Sequence, residues 1–176
     1  MKKVLCISGK AQHGKDTSAT ILKSILEERG NKVLIIHYAD LLKYLCKEYF
    51  GWNGSKDDEG RTLLQHVGTD VVRNKQPNYW VNFVVEFLKM FETEWDYVII
   101  PDCRFPNEVS TITKYFNTKH IRIIRQNFNS PLSIEQQQHP SETALDNYSY
   151  DYVVYNDSSV LNLGIRLIEL ATQLDC

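Results

Sequence analysis

Several things are missing from this chain, and each absence narrows what it can be. No apolar run approaches the length that crosses a bilayer, and the N-terminus lacks the long apolar core of a signal peptide. The expectation is a cytoplasmic protein with no membrane contact. Charge of one sign is not in excess: 20 Lys and Arg against 22 Asp and Glu give a net charge of -2. That balance argues against a partner that is a nucleic acid polymer, which calls for a basic face. Cysteines are few, and Cys6, Cys46, Cys103 and Cys176 are scattered without metal-ligand spacing, so buried thiols are expected rather than disulfides or zinc. No internal repeat, low-complexity tract or Pro/Gly-rich linker divides the 176 residues, which suit one domain with a core large enough to fold alone.

What is present begins near the N-terminus. The apolar run Val4-Leu5-Cys6-Ile7 leads directly into Gly9-Lys10-Ala11-Gln12-His13-Gly14-Lys15, the glycine-spaced phosphate loop between a strand and a helix. The chemistry needs that order. Backbone N–H groups of a glycine-rich turn and the positive end of the next helix wrap a polyphosphate only where no side chain intervenes. Lys15 then supplies a mobile point charge for the β- and γ-phosphates. The position after the lysine, where a magnesium-binding hydroxyl is usual, holds Asp16, with Thr17 and Ser18 behind it. Asp16 would coordinate the ion, hold it through water, or serve only as an acid in the first turn of a helix.

Strand and helix patterns alternate along the rest. Strands are expected at Lys3 to Ser8, Lys32 to Tyr38, Tyr97 to Ile100, His120 to Ile124 and Tyr152 to Tyr155. Helices are expected at Asp16 to Arg29, Leu41 to Phe50, Arg61 to Arg73, Tyr79 to Phe91, Glu108 to Phe116 and Val160 to Leu174. The polar segment from Gln126 to Ser141 shows no clear periodicity. This alternation implies an α/β fold: a parallel five-stranded sheet with helices on both faces, binding its ligand at the carboxyl ends of the strands.

Three further constellations fall at those ends. Asp102, closing the third strand, lies where an acid can orient magnesium or its waters, and Arg104 could grip a phosphate bidentately; an Asx turn leading to a helix capped near Asn107 is the plainer reading. Between Trp52 and Trp80, Arg61, Gln65, and Asp70 or Arg73 recur at helical spacing while Leu63, Leu64 and Val67 point inward, which gives either a cleft-facing polar side or a solvated one. His139-Pro140-Ser141-Glu142-Thr143 ends the aperiodic segment, a candidate lid with Arg122 and Arg125 at its entrance, where either could neutralise transition-state charge; alternatively Ser141 caps a short helix with Glu142 in its first turn.

Taken in order, Gly14 to Thr17, Tyr38 to Lys43, Gly60 to Gln65, Gly68 to Asp70, Asp102 to Glu108 and His139 to Glu142 resemble the deoxynucleoside monophosphate kinases of phage and prophage type, from about residue 3 to residue 158. The resemblance implies the three-layer P-loop NTPase fold of nucleoside monophosphate kinases. It also implies transfer of the ATP γ-phosphate to a deoxynucleoside 5′-monophosphate, with ATP and magnesium (Mg2+) as cofactors. Under it, residues 1–40, 95–125 and 150–176 form the core, about 41–94 the acceptor-binding lobe and about 126–143 the lid. The ATP side would comprise Gly9, Lys10, Gly14, Lys15, Asp16, Thr17 and Arg122, with Asn156 and Asp157 lying against adenine. The acceptor side would comprise Asp40, Lys43, Arg61, Gln65, Arg73, Arg104 and Glu142. Lys15, Asp102, Arg104 and Arg125 would act in catalysis, and Asp16 and Asp102 would hold the metal.

Other readings stay open. A small-molecule kinase of the phosphomevalonate type shares the Gly-Lys-Asp variation and an Asp-Asn-Tyr approach to the last strand, here Asp146-Asn147-Tyr148. Dephospho-coenzyme A kinase has an unlike acceptor lobe. A regulator that holds ATP without transferring phosphate would fit the missing hydroxyl after Lys15. The preferred base and the assembly, a homodimer being one option, are not written in the spacing.

Overall fold

The computed structural model describes residues 2–55 and 57–174. Five strands, β1 (Lys3–Ser8), β2 (Val33–Ile35), β3 (Tyr97–Cys103), β4 (Thr118–Ile124) and β5 (Tyr152–Tyr155), form one sheet in the order β2-β3-β1-β4-β5. Every pairing is parallel. The helices are α1 (Lys15–Glu28), α2 (Ala39–Tyr49), α3 (Asp58–Gln65), α4 (Tyr79–Met90), α5 (Pro106–Ile112), α6 (Ile134–Gln138), α7 (Pro140–Thr143) and α8 (Val160–Leu174), with a π-helix at His66–Arg73 between α3 and α4. The expected parallel five-stranded sheet with helices is thus present.

Central strands of a parallel sheet are covered on both faces, so they must be apolar throughout rather than alternating. On one face Leu5, Ile7, Ile99, Ile121 and Ile123 meet Ala19, Leu22 and Leu26 of α1 and Leu163, Leu167 and Leu170 of α8. On the other, Val4, Cys6, Val98 and Ile100 meet Val81, Val84 and Leu88 of α4 and Val109 and Ile112 of α5. A third apolar cluster, Leu42, Cys46, Val67 and Trp80 with Leu63 and Leu64 packed against it, lies within the helical segment between β2 and β3. Cys6, Cys46 and Cys103 are buried free thiols, as expected, while Cys176 lies outside the described residues.

Three expectations are corrected. The second strand is short: after Ile36 N–H donates to Ile99 O at 3.1 Å, the chain peels away into α2 because Tyr38 N–H and Ala39 N–H turn to the Asp102 carboxylate instead of continuing the ladder. The helix expected over Arg61 to Arg73 begins earlier, at Asp58, and changes type at His66. The wider π turn shifts the angular phase of everything after Gln65, so the α-helical spacing of Arg61, Gln65 and Arg73 does not hold to its end. Finally, the segment with no visible periodicity contains two short helices. Ser133 and Gln136 form a reciprocal capping box on the first: Ser133 N–H donates to Gln136 Oε1 at 3.1 Å and Gln136 N–H to Ser133 Oγ at 3.2 Å. The second is capped by His139, whose Nδ1 accepts from Ser141 N–H at 3.2 Å, rather than by Ser141.

Candidate active site

Strand order reverses at β1, with β3 on one side and β4 on the other, and open α/β sheets bind ligands at such a switch point. The phosphate loop emerges there. Gly9 and Gly14 have φ of +156° and +93°. A Cβ on Gly9 would come within 2.6 Å of Ile123 O, and one on Gly14 within 2.5 Å of Asn156 Nδ2, so both glycines are required by backbone angle and by space. Inside the loop, the Lys15 ammonium donates to Gly9 O at 2.8 Å and Lys10 O at 2.9 Å. Burial, and next the Arg104 guanidinium, pull its pKa down from 10.5 to about 8. An ammonium held this way is buried and bonded to two neutral carbonyls.

The β3 end is shaped by a bulge. Cys6 pairs with Ile100 but Ser8 with Cys103, so β3 carries an extra residue at Pro101-Asp102. Proline has no N–H for the ladder, and bulges re-aim side chains beside functional clefts. Asp102 is thereby directed at the start of α2, where Oδ1 accepts from Tyr38 N–H at 2.9 Å and Oδ2 from Ala39 N–H at 3.0 Å. This tertiary cap differs from the Asx turn toward Asn107, the plainer alternative for Asp102. Next to it, His37 bridges two carboxylates: Asp16 at 3.2 Å and Asp40 at 3.4 Å. Those hydrogen bonds, Asp16 first, raise the His37 pKa to about 9. Burial alone would raise Asp40, but the bonds from His37 outweigh it and hold that carboxyl at about 2. Lys43 stands 3.4 Å from Asp40.

Beyond β3 lies a chain of charged contacts. Glu108, in the first turn of α5 and buried, accepts from Arg104 N–H at 2.6 Å and Phe105 N–H at 3.0 Å, and pairs with the Arg73 guanidinium at 2.6 Å. Burial pushes the Glu108 carboxyl upward, with Arg73 the largest opposing influence. The Arg104 guanidinium pairs with Glu142, and Glu142 in turn accepts from Ala11 N–H of the phosphate loop at 2.9 Å. Arg122 is buried against Asp146 at 2.8 Å, and the other oxygen of Asp146 holds Lys10 at 2.6 Å.

On the far side of the loop, Asn156 donates to His13 O at 3.0 Å, and Asp157 accepts from Gln126 N–H at 2.8 Å. The turn after β5 therefore lies against both the phosphate loop and the start of segment 126–143. Arg125 is exposed, its guanidinium 4.4 Å from the centre of the Phe128 ring. Lys10, Ala11, His13, Phe128, Ser130, Gln137 and Glu142 line a cleft of about 250 Å³ between loop and segment. Arg61 and Gln65 are half-buried on α3.

Of the residues expected in the site, the loop residues with Arg122, Asn156 and Asp157 form one neighbourhood, and Asp16, Asp40, Lys43, Asp102, Arg104 and Arg73 line the β3 end and α2, while Arg61 and Gln65 lie on α3 and Arg125 beside Phe128. Sequence reasoning missed His37, Glu108, Asp146 and Phe128 as site residues. For two of them a signal existed: His37 follows a strand end, and Glu108 stands three residues after Phe105 in capping-box spacing.

A P-loop fold is the class this architecture defines. The structure is similar to an APS kinase of Mycobacterium tuberculosis (11% identity, TM-score 0.54, 97% of each chain). It is also similar to a dephospho-CoA kinase of Campylobacter jejuni (14%, 0.55, 98% of this chain and 97% of that one) and to a shikimate kinase of Bacteroides thetaiotaomicron (12%, 0.53, 98% of each). Identities this low speak for the fold alone. Within that class, the chain belongs to the deoxynucleotide monophosphate kinase family, whose model matches residues 48–167. A relative, the deoxynucleotide monophosphate kinase of Enterobacteria phage T4, is 31% identical over 109 residues, which is 61% of this chain and 43% of the relative's length. The family match begins after the phosphate loop, whose assignment rests on the geometry above.

Proposed function

We propose that this chain transfers the γ-phosphoryl group of ATP to the 5′-monophosphate of a deoxynucleoside. The observation that carries the reading is the pairing of a buried Lys15 inside a glycine-bounded loop with two arginines, Arg73 and Arg104, gathered beside the neighbouring strand end. Phosphoryl transfer asks for positioning and charge neutralisation rather than covalent chemistry. The acceptor phosphate oxygen is already anionic, so no side chain need act as a base.

In this reading the loop N–H groups and Lys15 hold the β- and γ-phosphates, and the turn at Asn156 and Asp157 lies beside the adenine. The fold likeness includes an APS kinase of Mycobacterium tuberculosis in complex with AMPPNP, which supports nucleotide use. Arg104 and Arg73 align the acceptor phosphate, with Asp40, Lys43, Arg61 and Gln65 toward the nucleoside in the helical lobe 41–94. Segment 126–143 serves as the lid, excluding water from the γ-phosphate, with Arg125 at its hinge.

Magnesium would screen the phosphates and polarise the transferring group. The donor set fits it: Asp16 is exposed on the first turn of α1, and Asp102 keeps lone pairs beyond those given to α2. Among the described residues no group of three or more His, Cys, Asp or Glu forms a cage, which suits an ion bound chiefly by phosphates and water with one or two carboxylates. Among the described residues no helix is long and apolar enough to cross a membrane.

The test is an acceptor panel with magnesium-ATP: the four deoxynucleoside monophosphates, their ribose forms, phosphomevalonate and dephospho-CoA, with products separated by chromatography. Deoxynucleoside diphosphate as the main product supports the reading. Product from phosphomevalonate or dephospho-CoA alone overturns it, as does ATP binding with no acceptor used.

A further inference from the structure

Glu108 has only 2% of its surface exposed, and capping α5 does not account for it. A helix N-terminus is capped as well by neutral Ser, Thr or Gln, whereas burying a carboxylate is costly unless charge and hydrogen bonds compensate. The compensating charge comes from Arg73, brought in by the π-helix from 35 residues earlier. Three restraints on that guanidinium all belong to one turn: the Glu108 carboxylate at 2.6 Å, the face of the Phe105 ring at 3.9 Å and Asn107 Oδ1 at 3.4 Å. The same turn begins at Arg104, whose backbone N–H is fixed by the other Glu108 oxygen at 2.6 Å. A single buried carboxylate thus sets the backbone of one arginine and the side chain of the other. Arg73 Nε is buried without a partner, so its guanidinium is held by these contacts and not by a saturated network of its own.

We propose that Glu108 is a positioning residue that holds Arg73 and Arg104 in register for the acceptor phosphate. The proposal deepens the function proposed above and rests on it. A phosphate dianion is gripped well by guanidinium groups only when their forks are already aimed, since aiming two long side chains at the moment of binding costs conformational entropy. Glu108 touches neither substrate; it acts through the two arginines.

The test compares wild type with Glu108→Gln, which keeps size and one acceptor for α5 but removes the charge facing Arg73. Initial rates are measured with each substrate varied, together with Kd for an ATP analogue and Tm. Loss of one charge-assisted contact on the arginines is expected to raise the acceptor KM about tenfold to a hundredfold, with the ATP-analogue Kd within about twofold of wild type. Arg73→Lys, expected to raise the acceptor KM alone by weakening the grip on the acceptor itself, supplies the background in which Glu108→Gln is measured again. The double variant should be little worse than Arg73→Lys alone, because Glu108 acts on the acceptor chiefly through that guanidinium. Acceptor KM unchanged in either folded variant overturns the proposal. So does an equal loss for both substrates that follows the fall in Tm, which is the signature of a merely structural carboxylate. Wild-type turnover is scored first and separately: with no deoxynucleoside monophosphate accepted, the function and this proposal fall together, whereas normal wild-type turnover with indifferent variants removes only the role of Glu108.

Discussion

Nucleotide binding should pull a proton onto Lys15. In the free protein this ammonium sits on two carbonyls with a pKa of about 8, against an ordinary value of 10.5. At pH 8.5 roughly three quarters of the lysine is then neutral, against about a tenth at pH 7. A phosphate charge arriving at about 4 Å, at an effective dielectric of about 20, contributes about 4 kcal/mol, close to a thousandfold in the protonation equilibrium. That is enough to return the group to full charge. Calorimetric titration with ATP, in buffers of differing ionisation enthalpy and without magnesium so that no metal competes with His37 for Asp16, should therefore report uptake of about 0.8 proton at pH 8.5 and about 0.1 at pH 7. Lys15→Arg, whose guanidinium stays charged across this range, should bind with no uptake. The sign extends to stability. Because the folded pKa lies below the unfolded one, the penalty for burying the charge is fully present below pH 8, and Lys15 makes the protein more stable as pH rises from about 8 to 10.5. Equal uptake in wild type and Lys15→Arg, or none at pH 8.5, would refute the account of a buried lysine held on neutral carbonyls.

Other consequences can be measured on the same protein. Gly14→Ala puts a methyl 2.5 Å from Asn156 Nδ2 at a φ of +93° and should destabilise by about 1–3 kcal/mol in urea titration while removing detectable ATP binding. Asp102→Ala strips the acceptors from Tyr38 N–H and Ala39 N–H and should cost about 1–3 kcal/mol even without nucleotide, with Asp102→Asn less damaging. Leu22→Ala, in the core between α1 and the sheet, should lower the unfolding free energy by about 2–5 kcal/mol and leave KM for both substrates unchanged at permissive temperature.

Where local rules act alone, the sequence was readable. The apolar runs of β1 and β5 and the amphipathic repeat of α8 match their observed bounds, and the phosphate loop was evident from glycine spacing. Errors arose where a distant group decided the outcome. The end of β2 depends on Asp102, sixty-odd residues away, claiming two N–H groups. The π-helix puts Gly68 directly against Leu42 and its carbonyl under the Trp80 indole N–H at 3.0 Å, contacts that no periodicity encodes. The same holds for the site. Lys15 and the glycines announce themselves by spacing, while His37, Glu108 and Asp146 acquire meaning only once the fold sets opposite charges beside them. Arg122, expected on the ATP side, has a buried pairing with Asp146 that depends on the segment before β5 folding back over β4.

The most direct test follows the transferred group itself. Purified protein, magnesium, ATP labelled in its γ-phosphate and a deoxynucleoside monophosphate are incubated, and the label is located by chromatography. The account predicts label in the deoxynucleoside diphosphate with wild type and none with folded Lys15→Ala. Label that stays in ATP, appears only as free phosphate, or reaches the diphosphate equally well without Lys15 would contradict it.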